Sequence, residues 1–303
     1  MASFRERIGQ HQFSTLVSIG VNDLFDIDSH RIIKRLSSSR NPLSIHPVVI
    51  VADPFLFVHN EELYLFYEEQ TDLTGKGIIK MTKTKDLKKW TKPTTVLEEN
   101  FHLSYPNVFE CEGQIYMMPE TGNEGTIKLY KPNADLTSWN HYKTLLNGQH
   151  FVDSSILKYE NRFYLFTTDY TNETNVLKLY WSDSIDGEWT EHPRSPIASG
   201  KDTGRCGGSI FNYNGKLYRP SQLTQKRYGE GLALNQITAL SKEAYTEEWV
   251  KTIIPNANKI YCEGGHHFNY CTFNNQTVIA TDIFEMKLNY LEVAKRLVVK
   301  IKS

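Results

Sequence analysis

The chain of 303 residues lacks the features that point to several common partners. Its 34 Lys+Arg against 35 Asp+Glu give a formal net charge of -1, so there is no charge excess for nucleic acid or an anionic membrane. No run approaches the roughly 18 apolar residues of a membrane span, and the N-terminus carries charges where a secretory signal is apolar. We therefore expect a cytoplasmic protein with no integral membrane segment and no nucleic-acid partner.

Paired cysteines and nucleotide-binding loops are also missing. The four cysteines, Cys111, Cys206, Cys262 and Cys271, fall into no CxxC spacing, which predicts reduced thiols rather than a zinc ribbon. "GKG" at 75–77 lacks a Walker pattern and is interpreted as a hairpin turn.

What the chain does have is an internal repeat. Each repeat begins with a small or polar turn, runs through an apolar strand, turns at Gly, Asn or Glu, and returns through an aromatic-rich strand. The four clearest copies are "ADPFLFVHNEELYLFYEE", "SYPNVFECEGQIYMMPE", "VDSSILKYENRFYLFTTD" and "CGGSIFNYNGKLYRPSQ". A fifth begins at Glu263, and copies about fifty residues apart with several strands each are typical of propeller blades.

A tryptophan follows each of the first four copies after a third strand. Trp90, Trp139, Trp189 and Trp249 are 49, 50 and 60 residues apart. Two β-sandwiches, the competing architecture, would not require a tryptophan at constant phase. The pattern predicts an all-β fold, a five-bladed β-propeller, in which radial stacking buries both faces of every sheet.

We expect one domain over 1–303, with an N-terminal strand at 13–20 added to the last blade. The predicted blades span 47–100, 101–148, 149–200, 201–256 and 257–303.

The starts of the first strands are the candidate site, because in a propeller these strands line the central channel. The positions are Asp53, His102 to Pro106, Asp153, Arg205, Glu263, His266 and His267. Charged groups gathered around one axis favour a binding or catalytic pocket, although Asp53 before Pro54 also suits a simple turn cap. His102 and Tyr105 are predicted substrate contacts, and His266 is a third. Glu120 should lie at the same mouth, because an antiparallel hairpin brings its end back beside its start.

The motifs "ADPFLF", "HLSYPNVFE", "VDSSIL" and "GRCGGSIF" resemble one known family. Over roughly residues 47 to 285 the chain is similar to the five-bladed domain at the N-terminus of plant glucosamine inositolphosphorylceramide transferases and in bacterial polysaccharide-cluster proteins. More distantly it is similar to five-bladed glycoside hydrolases of the arabinanase, xylosidase and invertase type. That second resemblance implies that Asp53 is a base or nucleophile and that Asp153 orients it and tunes its pKa.

The chain departs from the hydrolase pattern at Arg205, which stands where a glutamate general acid would be. Phosphate or diphosphate leaves without protonation if its charge is stabilised, and a guanidinium does this with directed donors. Arg205, with Arg219 nearby and Lys226 and Arg227 beyond it, is therefore predicted to bind an anionic glycosyl donor. A salt bridge from Arg205 to a funnel carboxylate is the alternative.

The preferred hypothesis is a glycosyltransferase of surface polysaccharide biosynthesis. Its partners would be a phosphorylated, possibly furanosyl, sugar donor and a glycan acceptor, with Asp53 as general base. Two alternatives stay open: a glycoside hydrolase in which Glu110, Glu120 or Glu263 supplies the acid, and a glycan-binding module without catalysis.

No cofactor or catalytic metal is predicted. "YCEGGHHFNYC" meets no standard zinc spacing, and adjacent histidines on an extended strand would point to opposite faces. A structural divalent ion in the central channel remains open.

Overall fold

The computed structural model describes residues 9–20, 23–38, 47–71, 73–254 and 262–288. In chain order the strands are β1 (Gly9–Ile19), β2 (Arg31–Leu36), β3 (Val48–His59), β4 (Glu62–Thr71), β5 (Gly77–Thr84), β6 (Thr94–Leu97), β7 (Ser104–Cys111), β8 (Gln114–Thr121), β9 (Thr126–Pro132), β10 (Trp139–Asn147), β11 (Phe151–Tyr159), β12 (Arg162–Asp169), β13 (Val176–Ser182), β14 (Thr190–Glu191), β15 (Ala198–Ser199), β16 (Phe211–Tyr213), β17 (Lys216–Leu223), β18 (Gly231–Leu240), β19 (Tyr245–Ile253), β20 (Phe268–Phe273) and β21 (Gln276–Leu288). Within these ranges the helical segments are two 3-10 turns, Ile27–Ser29 and Gly122–Glu124, and no helix is long and apolar enough to cross a bilayer.

The strands form five antiparallel sheets arranged as a five-bladed propeller, which confirms the predicted fold class. From the axis outward, blade one is β3-β4-β5-β6, blade two β7-β8-β9-β10, blade three β11-β12-β13-β14 with β15 beside β13, and blade four β16-β17-β18-β19.

Blade five joins both ends of the described chain. Its order from the axis is β20-β21-β1-β2, and β1 pairs with β21 from Gly9↔Leu288 to Ile19↔Val278. The sequence predicted one N-terminal strand in this blade, whereas the structure has two, β1 and β2. Parts of the predicted last blade, residues 257–261 and 289–303, lie outside the described residues.

Two-residue turns connect the first and second strands of every blade. Both turn residues have positive φ, which matches type I′ geometry and the right-handed twist of a hairpin. The five pairs are Asn60-Glu61, Glu112-Gly113, Glu160-Asn161, Asn214-Gly215 and Asn274-Asn275. The Gly, Asn and Glu turns found in the sequence repeat are therefore the outer ends of the five inner hairpins.

The core lies between neighbouring blades rather than within one sheet. Between blades one and two, for example, Phe66 and Met117 are fully buried and pack against Trp139 of β10. The tryptophans do not share one environment, however, because Trp139 is 5% exposed and Trp249 of β19 is 50% exposed. Trp139 is the first residue of β10, whereas β19 begins at Tyr245 and Trp249 lies inside it, so Trp249 stands at a different phase of the blade.

Candidate active site

A repeated β-bulge sets the backbone conformation of residues at the inner mouth of blades one to three. The pairing of first and second strands shifts after Ala52, Ser104 and Val152, so the next residue leaves the regular ladder. Those next residues, Asp53, Tyr105 and Asp153, have φ of +50°, +46° and +48°. A non-glycine side chain in this region is strained by about 1–3 kcal/mol, and bulges of this kind re-aim side chains beside functional sites.

A carboxylate from the preceding blade caps each of these bulges. The backbone N–H of Asp53 donates to Asp282 of blade five at 3.3 Å, and that of Tyr105 donates to Asp53 at 3.2 Å. The N–H of Asp153 donates to Glu120 of blade two at 3.3 Å. The acidic side chains therefore form a chain of links around the axis from blade five to blade three.

Arg205 of blade four contacts this series of acidic side chains. Its Nε donates to Oδ2 of Asp153, which also accepts a hydrogen bond of 2.8 Å from the Gln222 amide. The side chain of Arg205 is 17% exposed against 3% for Asp153. The salt bridge considered as an alternative for Arg205 is thus present, and it leaves the terminal guanidinium nitrogens as the groups that can meet a ligand.

Two histidines close the other side of the cluster. Nδ1 of His266 lies 2.7 Å from Oδ2 of Asp282 and 3.7 Å from Oδ1 of Asp53, and Nδ1 of His267 lies 3.6 Å from the same Asp53 oxygen. The expectation that the two rings point to opposite faces is wrong. Residues 265–267 precede β20 and are not extended strand, and both backbone N–H groups donate to Asp282 at 2.7 and 3.1 Å.

The cluster contains five buried carboxyl groups, those of Asp53, Glu68, Glu120, Asp153 and Asp282. Burial, strengthened by neighbouring Asp153 and Asp282, raises the pKa of Asp53 to about 7. Burial together with Asp153 raises the pKa of Glu120 to about 8. Burial also raises the pKa of Glu68 well above its ordinary value, with Asp53 adding to the effect. At neutral pH the cluster therefore combines protonated carboxyl groups with one close to half ionised.

The histidines divide into a charged and a neutral ring. Burial opposes protonation of His266, but the Asp282 carboxylate overcomes it and raises the His266 pKa. Burial alone would raise the pKa of Asp282, but the neighbouring His266 outweighs burial, and the pKa of Asp282 is lowered. Burial lowers the pKa of His267 to about 4, and neither of its ring nitrogens has a hydrogen-bond partner within the described structure.

An aromatic side chain that the sequence reasoning missed covers this cluster. The Tyr228 ring packs edge-on against His266 at 4.9 Å between centroids, and the Arg205 guanidinium lies over it at 5.4 Å. Tyr228 is 45% exposed although the groups beneath it are buried. The next residue, Gly229, has φ of +74°. Tyr228 is thus the exposed aromatic surface at the entrance to the cluster.

Three predicted site residues have other roles. Tyr105 is fully buried, and its hydroxyl donates to the Gly208 carbonyl at 2.8 Å, so it joins blades two and four rather than stacking on a ligand. Arg219 is fully buried in a bidentate pair with Glu247 at 2.8 and 2.6 Å. Glu263 pairs with Arg227 at 3.2 Å and is one-third exposed.

Lys226, the other basic residue considered for donor binding, is 84% exposed and lies 3.7 Å from Glu230. The structure therefore brings together Asp53, Asp153, Glu120, Arg205 and His266 of the predicted residues, with His102 at the edge beside Glu68.

Glu68 and Asp282 were missed by the sequence reasoning. The repeat itself held a signal for Glu68, because Ala52 pairs with Glu68 in blade one as Ser104 pairs with Glu120 in blade two. The repeat held the same signal for Asp282, because Glu68, Glu120 and Asp282 are each the seventh residue of the second strand of their blade.

Three side chains have the geometry to hold a cation. One ligand atom from each of Asp53, His266 and Asp282 lies within 4.8 Å of the others. Carboxylate and imidazole ligands suit several divalent metals. A cation there would compete with the proton of His266 for the same oxygens.

The cluster can accept or donate protons and can bind an anion at one edge. Asp53 is suited to accept a proton near neutral pH, Glu120 is suited to donate one, and the outer nitrogens of Arg205 can meet a negative group.

The sequence has relatives among plant proteins. Residues 36–281 match the family model described as "Glucosamine inositolphosphorylceramide transferase 1, N-terminal". The rice protein Glucosamine inositolphosphorylceramide transferase 1 (Oryza sativa subsp. japonica) is 38% identical over 221 residues, which cover 71% of this chain and 30% of the relative. The chain therefore spans under a third of the length of the curated relatives it matches.

Solved structures with this fold include glycoside hydrolases. A family 117 glycoside hydrolase of the marine bacterium Zobellia galactanivorans superposes with a TM-score of 0.56 at 12% identity, covering 93% of this chain and 92% of that one. An exo-1,5-alpha-L-arabinanase from a bovine ruminal metagenomic library gives a TM-score of 0.54 at 14% identity, over 80% and 92%. At these identities the likeness concerns the fold alone, and it agrees with the resemblance drawn from the motifs.

Proposed function

We propose, because this chain belongs to the family of N-terminal domains of glucosamine inositolphosphorylceramide transferase 1, that its propeller funnel transfers a glycosyl group to a hydroxyl acceptor. The observation that carries the proposal is the buried cluster of five carboxyl groups, which Arg205 joins through its bond to Asp153. Excess acid in a dry site is unfavourable unless it is used, and perturbed carboxyl groups concentrate at functional sites.

In the proposed step Asp53 is the general base. The acceptor hydroxyl gives its proton to the free Asp53 oxygen, and the acceptor oxygen forms a bond to the anomeric carbon of the donor. The bond from that carbon to the leaving oxygen breaks, and the leaving group departs with the electron pair. A pKa of about 7 suits this role because the base is partly ionised at neutral pH and still binds the proton it takes.

The leaving group we propose is a phosphate or diphosphate. Asp153 occupies Nε of Arg205 and thereby fixes the plane of the guanidinium, so its terminal nitrogens are oriented before the donor binds. Preorganised donors of this kind stabilise charge that develops on a departing oxygen. The relatives' name makes glucosamine the first sugar to test, and assembly of a surface polysaccharide in the cytoplasm is the setting we propose.

Hydrolysis of a glycoside is the second candidate, and Glu120 favours it. A carboxyl group with a pKa of about 8 is protonated at neutral pH and can donate to an alkoxide leaving group. The objection that blade four lacks an acid is thereby weakened, since blade two supplies one.

The test is a turnover screen of the purified chain. Nucleotide-linked and phosphorylated sugar donors, glucosamine first, are incubated with oligosaccharide acceptors, and neutral oligosaccharides are incubated alone. Asp53→Asn and Arg205→Gln are assayed beside two matched controls at exposed residues, Asp135→Asn and Arg194→Gln. Thermal melting shows whether each variant is folded.

Loss of donor consumption in Asp53→Asn and Arg205→Gln, with both controls active, is the expected result. Cleavage of neutral oligosaccharides that survives Arg205→Gln and needs Glu120 would replace transfer by hydrolysis. Binding by the wild type without turnover of any compound would leave a recognition domain and contradict the proposed step.

A further inference from the structure

A second polar site lies where blade one meets blade two, beside the cluster already described. Glu68 of β4 is 5% exposed, and its Oε1 has no hydrogen-bond partner within the described structure. His102, which precedes β7, is the nearest ring, with Nε2 3.6 Å from that oxygen. A separation of 3.6 Å is too long for a hydrogen bond, so the two groups face each other without being joined.

The backbone fixes which nitrogen of His102 carries the proton. Nδ1 accepts a hydrogen bond of 2.9 Å from the N–H of Gly77, so it is unprotonated. Burial lowers the His102 pKa, which keeps the ring neutral, and the proton is therefore on Nε2. A donor on His102 thus faces an acceptor on Glu68.

Glycine at position 77 is required for this approach. A Cβ there would lie 2.2 Å from the Leu103 carbonyl oxygen, 2.7 Å from Oε1 of Glu68 and 2.9 Å from Cε1 of His102. Any larger residue would occupy the space beside the carboxyl oxygen and the imidazole.

We propose that Glu68 and His102 form a hydroxyl-binding subsite, in which one sugar hydroxyl donates to Oε1 of Glu68 and accepts from Nε2–H of His102. This inference rests on the proposed function, because it assumes that the funnel takes a carbohydrate. A hydroxyl suits the pair because it donates and accepts through one atom. An ammonium cannot accept from Nε2–H of His102, so the pair favours a group that has an acceptor oxygen.

The subsite should discriminate among sugars by a single hydroxyl. A buried group that loses its partner is left unsatisfied, so a ligand lacking the bridging hydroxyl should bind about tenfold more weakly. The probes are methyl β-D-glucopyranoside, its 2-amino counterpart, and the mono-deoxy forms of each. Affinity is measured by ligand-observed NMR, and the 15N shift of the His102 ring reports contact at the subsite.

Three variants of β4 make the test specific. Glu68→Leu removes both polar atoms at nearly the same volume, and it should abolish the discrimination while leaving the fold intact. Glu68→Gln keeps a donor and an acceptor and should preserve it. Glu69→Leu is the matched control, because adjacent strand residues face opposite ways and Glu69 pairs with Lys80 at 2.8 Å.

Every variant is measured in the Asp53→Asn background, so that binding is separated from turnover. Discrimination by one deoxy form, lost in Glu68→Leu and kept in Glu68→Gln, supports the subsite even if the wild type turns over no donor. The subsite is overturned if no glycoside shifts the His102 signal, if no deoxy form binds more weakly, or if Glu68→Leu weakens all glycosides equally. Turnover that needs Asp53 would stand in each of those cases.

Discussion

Two arginines of the propeller differ in their surroundings: the side chain of Arg219 is fully buried, whereas that of Arg205 is 17% exposed. Arg219 of blade four faces one carboxylate, Glu247, in a bidentate pair that Tyr245 completes with a hydrogen bond of 2.7 Å to the same carboxylate. Arg205 binds Asp153 directly, and Asp153 belongs to a cluster of five buried carboxyl groups. The first arrangement balances its charge and holds strands together, whereas the second leaves acid in excess and shifts pKa values into the neutral range.

Removing Arg219 should have the largest effect on stability. Arg219→Met strands a buried carboxylate, which typically costs about 3–5 kcal/mol of unfolding free energy. Arg205→Met should cost less, because the cluster can take up a proton in place of the lost cation. Chemical denaturation of both variants at pH 7 measures the difference.

The double variant Arg219→Met with Glu247→Leu is the control, and it should recover most of the loss because no charge is left unpaired. Equal destabilisation by Arg205→Met and Arg219→Met would remove the distinction between the two regions.

The two regions should also differ in how stability depends on pH. Asp53 has a pKa of about 7 in the fold against an ordinary value of 3.8, so between these values the folded state holds a proton that the unfolded state has lost. Stability must then fall as pH rises through this window, by up to about 1.4 kcal/mol per pH unit for one group. Asp53→Asn should flatten the profile between pH 5 and 7 in urea denaturation.

Asp135→Asn, the exposed control, should leave the profile unchanged. If the stability of the wild type instead rises with pH across the window, and Asp53→Asn does not change the profile, then Asp53 does not hold a proton in the folded state at these pH values.

The pH dependence of turnover distinguishes the two reactions that the cluster allows. Activity should rise as Asp53 ionises near pH 7 in either case. For a phosphate leaving group no acid is needed, so activity stays high above pH 8. For a glycoside, ionisation of Glu120 near pH 8 makes activity fall again. Rate profiles of the wild type and Glu120→Gln identify the case, since the substitution removes the alkaline decline only if Glu120 donates the proton.

The smallest effect should come from Tyr228 at the entrance. Stacking of a sugar on an aromatic face contributes about 0.5–1.5 kcal/mol, so Tyr228→Ala should raise KM by about 2- to 10-fold and leave kcat nearly unchanged. Tyr228→Trp should keep the wild-type KM. A fall in kcat alone would mean that Tyr228 orients Arg205 or His266 instead of meeting the ligand.

The repeat predicted the blades well because inner strands and their type I′ turns recur in sequence phase. It missed β2, with the sequence "RIIKRL", because β2 pairs with β1 across the connection 20–30 instead of through a two-residue turn. The phase of the repeat predicts where along a strand a residue lies, but it does not predict the direction in which a β-bulge turns the side chain. Asp53 and Asp153 both belong to the buried carboxyl cluster, whereas Tyr105 at the same bulge is a buried link between blades.

The sequence did not predict which side chains from distant segments pair with each other. Arg219 was placed in the funnel, yet its partner Glu247 is on β19, two strands farther out in blade four. Tyr228 comes from the connection between β17 and β18, which has no repeat motif, and it contacts the cluster only in the folded ring.

A 13C NMR titration of the aspartate and glutamate carboxyl groups between pH 4 and 10 tests the central claim directly, because it requires no knowledge of the substrate. We predict carboxyl signals that titrate near pH 7 and near pH 8, of which the first is absent in Asp53→Asn and the second in Glu120→Gln. If every carboxyl signal titrates below about pH 5, near the ordinary aspartate and glutamate values, the funnel holds no proton at neutral pH and the account is contradicted.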